Sequence, residues 1–224
     1  EAFLKNDLYN PARHMLGKEQ EAWLQKALQS SKTRGAIWQV MGQQVLMGKL
    51  NIPVIPPEEL AQLELSDYAR PRVEQTQELA PYGLPSNLDA WDGYPAARER
   101  LFAMLMAHAT NPISLAGDTH NGWAFNLTNA QGAPVGVEWG TPGVSSPGLE
   151  RYVPLAPERM QALLKSASPE LVACDTAQRG WTHVTLTPEA ATAHWRFVSS
   201  VVELAYQASV GEPLVTRRST RKLA

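Results

Sequence analysis

The spacing of apolar and polar positions divides the chain into alternating helical and extended stretches. Over residues 16–31, Leu16, Trp23, Leu24, Ala27 and Leu28 recur near helical spacing, with Lys18, Glu19, Glu21 and Lys26 between them. That pattern predicts an amphipathic helix. Gly35 breaks it, and the short apolar run 36–40 reads as a buried strand ending at Gly42-Gln43-Gln44. Residues 95–107 predict a second helix. Pro95 suits its first turn, and Leu101, Met104, Leu105 and His108 give it an apolar face. Residues 113–116 read as a short buried strand running into Gly117-Asp118-Thr119-His120. Segments 123–128 and 135–139 flank Asn129-Ala130-Gln131-Gly132, the signature of a hairpin. A loop of Gly, Pro and Ser follows at 141–148, then a helix over 157–167 and a second strand pair at 180–186 and 194–201.

Two stretches fit neither period. Residues 51–88 carry Pro53, Pro56, Pro57, Pro71, Pro81 and Pro85, which preclude a long regular element. They read as a long irregular excursion over the surface, a place where function often sits. The end of the chain carries Arg217, Arg218, Arg221 and Lys222. The folded body is therefore expected over 1–205, with 206–224 a frayed basic tail.

Composition narrows the function classes. With 224 residues and 44% hydrophobic content, the chain suits one domain or most of a larger one. A net charge of -2 offers no footprint for nucleic acid or an anionic membrane. No apolar run is long enough for a transmembrane segment. The chain opens on Glu1 rather than Met and shows no signal peptide. Processing, or further residues before Glu1, is the expectation. The single cysteine, Cys174, permits no intrachain disulfide and reads as a buried thiol. Seven Trp favour large buried contacts or an aromatic-lined cleft.

Three places could carry chemistry. Asp118 and His120 stand two residues apart after a strand, so in extended backbone they face the same way. A carboxylate beside an imidazole suits a transition metal or a mixed metal site. The same residues equally suit a turn cap and a satisfied polar side chain. Trp91-Asp92-Gly93-Tyr94-Pro95 enters the second helix; Asp92 fits a helix cap, or Asp92, Tyr94 and Arg98 could orient a metal ligand from behind. Gln43-Gln44 ends a strand, where amide oxygens could meet a cation or make a turn. His14, His108, His183 and His194 read as structural or surface residues. Ser145 and Ser146 lack the strand-turn-helix setting of a nucleophile elbow. No Walker or dinucleotide-binding glycine pattern is present.

The order of these features resembles the late half of the calcineurin-like metallophosphatases, and within them the PhoD-like alkaline phosphatases. The resemblance is carried by P-A-R-H-M-L-G-K-E-Q-E-A-W-L from Pro11, W-Q-V-M-G-Q-Q-V-L-M from Trp38 and W-D-G-Y-P-A-A-R-E-R-L from Trp91. G-D-T-H-N-G-W-A from Gly117, V-E-W-G-T-P-G-V-S-S from Val137 and R-G-W-T-H-V-T-L from Arg179 complete it. These segments span most of residues 11–200. Against the wider superfamily, Asp118 replaces the first His of G-H-x-H, and Gln43-Gln44 replaces a metal-binding His.

The resemblance implies an α+β, αββα architecture: a two-layered mixed β core flanked by helices, here its C-terminal half. It implies hydrolysis of phosphomonoesters or phosphodiesters by metal-activated water, with iron and calcium as the cofactors. Asp118, His120 and, more distantly, Gln44 would hold metal, and Asn121 would orient a ligand or the phosphate. Gln43, Trp91, Asp92, Tyr94, Arg98 and Trp123 would support them or touch substrate. It further implies export to the periplasm, cell envelope or exterior. Most metal ligands of the family, a cysteine among them, are expected before Glu1, and Cys174 lies too far downstream to be that residue. Two ligands fall short of the roughly three protein ligands of catalytic zinc-type sites. The chain is thus expected to act with the missing N-terminal part of the same protein. The alternative is a non-catalytic or degenerate member that binds a metal or a partner.

Overall fold

The computed structural model describes residues 2–224. Two sheets stack face to face. The larger comprises β1 (Gln39–Gly42), β2 (Pro112–Ala116), β3 (Gly122–Thr128), β4 (Pro134–Gly140) and β5 (Leu171–Asp175), in spatial order β1-β2-β4-β3-β5. Strands β1, β2 and β4 run parallel, while β3 is antiparallel to β4 and β5. The smaller sheet is antiparallel. Its central β7 (Ala190–Val198) pairs with β6 (Arg179–Leu186), β8 (Ala208–Val210) and β9 (Leu214–Arg217).

Strand alternation fixes the stack. Ala191, Ala193, Trp195 and Phe197, every second residue of β7, face Ile113, Ala124, Val137 and Trp139 of the larger sheet. Trp195 needs Gly122 beneath it, where a Cβ would lie 3.0 Å from the indole. The other face of the larger sheet meets helices α1 (Lys18–Thr33), α4 (Pro95–His108) and α5 (Pro157–Ala167) around Phe102, Leu105, Phe125 and Leu164. The two-layered mixed β core with helices matches the expected class.

Three sequence expectations need correction. The stretch 51–88 holds the four-residue α2 (Pro57–Leu60) and the ten-residue α3 (Arg70–Leu79), so it is not irregular throughout. Pro71 sits in the first turn of α3, where its missing N–H costs nothing. Leu65, Ala69 and Val73, four apart, are buried. Residues 206–224 are not a frayed tail. β8 and β9 flank β7, Leu223 is buried, and its N–H donates to Asn126 Oδ1 at 2.7 Å. Gly211 and Pro213 keep both strands too short to stand out by pattern. Finally, β1 begins at Gln39 rather than residue 36 and is half-exposed, because it is the outer strand of its sheet.

Candidate active site

Strand β2 ends at Ala116, and the chain turns sharply at once. Asp118 and His120 have φ of 71° and 64°. These left-handed conformations are uncommon for side-chain-bearing residues, although Asp and His are among those enriched there. The extended backbone expected between them is therefore absent. Both side chains are exposed and line one cavity of about 490 Å³, together with Thr119, Asn121 and Trp123.

The turn is clamped. The Thr119 N–H donates to Gly117 O at 2.9 Å, and Trp123 Nε1 donates to Thr119 Oγ1 at 2.5 Å. His120 O accepts from Gly143 N and Arg179 Nη1, both at 2.9 Å, and the Arg179 guanidinium is also bound to Glu150. His120 Nδ1 lies 2.8 Å from Pro147 O. A carbonyl can only accept, so Nδ1 carries the proton in this contact, and Nε2 is the ring nitrogen without a hydrogen-bond partner among the described residues. Asn121 is 2% exposed. Its Oδ1 accepts from Leu149 N at 3.1 Å, while Nδ2 has no hydrogen-bond partner among the described residues.

Behind the turn lies a buried polar network that sequence reading largely missed. Glu138 on β4, 0% exposed, accepts from Met47 N, Gly48 N at 2.8 Å and Ser114 Oγ at 2.8 Å. Burial pushes its carboxyl up, against the pull of those donors. Arg98, 1% exposed, donates from Nε to Met47 O and from Nη2 to Glu170 Oε2, both at 2.6 Å. Glu170 also accepts from Lys49 N at 3.0 Å. Asp92 accepts from Leu50 N at 3.3 Å, and burial raises its pKa while Arg98 opposes the shift. Asp92 thus holds the backbone at Leu50 instead of capping α4, whose N-cap residue is Tyr94 without a side-chain cap bond. The available signal for Glu138 was a lone charge inside an apolar strand.

The remaining expected residues divide. Asp92 and Asp118 share a small pocket of about 30 Å³, room for about one water. Gln44 approaches only through its backbone, accepting from Gly117 N at 3.3 Å. Its side chain lines a separate groove with Gln43, Trp23 and Trp38. Gln43 Oε1 accepts from Trp91 Nε1 at 3.0 Å, which orients that buried indole. Tyr94 lies under the Arg13 guanidinium, 4.0 Å away, and outside the cavity lining. Arg98 is committed to the network. His183 and His194 face each other across β6 and β7, and His14 lies beside Arg100. Cys174 is buried, its thiol pushed up to about 12, and so chemically quiet.

As a metal donor set the turn is partial. Asp118 offers a carboxylate and His120 an imidazole nitrogen, a mixture compatible with hard and borderline cations. Among the described residues, no group of three or more His, Cys, Asp or Glu is placed to hold an ion. The sequence profile of the PhoD-like phosphatases matches residues 2–195. Alkaline phosphatase D of Bacillus subtilis (strain 168) is 35% identical over 119 residues, 53% of this chain and 15% of the relative. A solved structure titled "Structure of PhoD" superposes with a TM-score of 0.67 at 25% identity, covering 96% of this chain and 36% of the other. The chain therefore spans well under half the length of either relative.

Proposed function

This chain belongs to the PhoD-like phosphatase family, and from that premise we propose that the turn after β2 forms part of the active site of a metal-dependent phosphoester hydrolase. The substrates are phosphomonoesters or phosphodiesters. The observation supporting this reading is Asp118 and His120 on one clamped turn, lining one cavity, with His120 Nδ1 held by Pro147 O and Nε2 without a hydrogen-bond partner among the described residues.

In this reading Asp118 and His120 Nε2 hold metal, and Asn121 Nδ2 donates to a phosphate oxygen or a ligand. Bound cations, iron and calcium by family resemblance, supply neutralisation of phosphate charge and activation of the attacking water. The protein's task is positioning, because phosphoryl transfer depends mainly on alignment and charge stabilisation. The buried network around Glu138 and Arg98 serves this by fixing residues 45–51 behind the turn. The other ligands come from the rest of a longer polypeptide, which adds along the open edge of β1. Localisation in the periplasm, cell envelope or exterior accords with the family. No helix among the described residues is long and apolar enough to cross a membrane.

The test is Asp118→Ala and His120→Ala in the full-length protein. Both residues are exposed, so the fold should survive by circular dichroism. Bound metal should fall, and kcat should drop by at least about a hundredfold, since even outer-shell changes at metal sites cost about 10–100-fold. Residues 1–224 alone should hydrolyse little. Full turnover by that segment alone would refute the divided site. The ligand count also favours a second reading, metal or partner binding without catalysis. Metal uptake by the full-length protein with no hydrolysis would establish it.

A further inference from the structure

We propose that the cavity beside Asp118 and His120 receives a hydrocarbon group of the substrate, so that the ester cleaved carries an alkyl chain on its phosphate. This rests on the phosphatase reading above. The cavity, about 490 Å³, falls in the range of small-molecule sites. It has two chemically distinct ends. At the turn are the exposed Asp118 and His120 and the unpartnered Nδ2 of Asn121. The rest of its wall includes buried Ile52, Ile55, Val73, Val153, Met160 and Leu164, drawn from separate segments that include α3 and α5.

Three of the polar side chains in that wall, Arg72, Thr76 and Gln77, make hydrogen bonds within the fold. Gln77 Oε1 accepts from Ile55 N at 2.7 Å, and Nε2 donates to Pro53 O at 3.0 Å. Arg72 Nη1 donates to Tyr68 O at 2.8 Å, its guanidinium stacked 3.9 Å over the Tyr68 ring. A sugar or a nucleobase placed there would lose its hydrogen bonds to water and regain few. A hydrocarbon would lose none, and burying it against the apolar wall would release water that has poor partners there. A phosphate at the turn with its chain in the cavity matches both ends at once. The stretch 51–88 thereby acquires a role, since α3 and the residues before it build much of the wall.

The experiment uses the full-length enzyme and two series, alkyl phosphates and non-hydrolysable alkylphosphonates, each from methyl to octyl. Hydrolysis is followed by phosphate release, and phosphonate binding by calorimetry. Both kcat/KM and phosphonate affinity should rise about two- to fourfold per methylene until the cavity fills, with an increasingly negative heat-capacity change. Met160→Trp, at a buried wall position, and Thr76→Trp, at a half-buried one, should each flatten that slope. Flat slopes in the parent enzyme would overturn the proposal while leaving the phosphatase reading intact. A slope in phosphonate binding with no hydrolysis of any ester would refute the phosphatase reading and retain the cavity. Octyl phosphate presented as monomer or in phosphatidylcholine vesicles separates the two sources. Turnover in vesicles assigns the ester to a membrane, and turnover of monomer alone assigns it to a soluble metabolite.

Discussion

Asp118 and His120 were legible as a pair from their spacing, but the reason they share a cavity was not. Extended backbone was the assumption, whereas two left-handed residues make the turn. A single sequence cannot reveal positive φ at non-glycine positions. Such conformations cost of order 1–3 kcal/mol each and gather at functional sites. Asp118→Gly should therefore leave thermal stability equal or raise it by up to about 1 kcal/mol, while hydrolysis by the full-length protein falls. A clear loss of stability would show that the Asp118 carboxylate supports the fold. Asp92 carries a different signature. Its carboxyl pKa is raised in the folded state, mainly by burial. The folded state then binds the proton more readily than the unfolded state. The contribution of this group is most favourable below its unfolded pKa and is lost as pH rises through the folded one. Asp92→Asn keeps an acceptor for Leu50 N and removes that penalty. Melting temperatures from pH 4 to 8 should show the variant gaining on the parent as pH rises; a constant difference would count against a buried, reluctantly ionised Asp92.

Helices α1, α4 and α5 and strands β2, β3 and β4 lie close to their pattern-based limits, because each carries a run of apolar residues that becomes buried. The elements that were missed are short or rest on long-range contacts. β5 and the early part of β7 are rich in small residues, and β8 and β9 hold only because β7 lies between them. The W-D-G-Y-P-A-A-R segment was recognisable as a motif, yet its role needed coordinates. Arg98 reaches from α4 to Met47 O on one side and to Glu170, just before β5, on the other. It ties the helix layer, the loop after β1 and the edge of the sheet together. Removing one member of a buried ion pair leaves the other uncompensated, at a cost of about 3–5 kcal/mol. Arg98→Ala should therefore lower chemical-denaturation stability by about that amount. Replacing Arg98 and Glu170 together by Met and Leu should cost distinctly less than the sum of the single changes. Additive losses would mean that the two residues act independently.

At the scale of the whole molecule, the larger sheet ends in an open strand. Gln39 N donates to Asn111 O and Gln43 N to Leu115 O, so the odd-numbered residues of β1 face β2. The intervening Val40 and Gly42 direct their N–H and C=O groups away from the sheet. Val40 is 43% exposed, and Trp23, on the neighbouring α1, is 67% exposed. Exposed apolar residues beside unpaired backbone form a template for adding another strand. In a longer polypeptide that position suits a strand from the rest of the chain, as the one-third coverage of the solved relative allows. In residues 1–224 alone it should pair with a second copy. Sedimentation of that segment should show association that increases with protein concentration. Val40→Lys should suppress it, because a charged side chain on an edge strand opposes pairing, and an exposed position can carry Lys without disturbing the core. The same substitution should leave the melting temperature of the dilute segment within about a degree or two, since an exposed change away from special features is worth about 0.5 kcal/mol or less. Association that persists unchanged in Val40→Lys would place the contact elsewhere, and a strictly monomeric parent segment would mean that the open edge is protected without help from other strands.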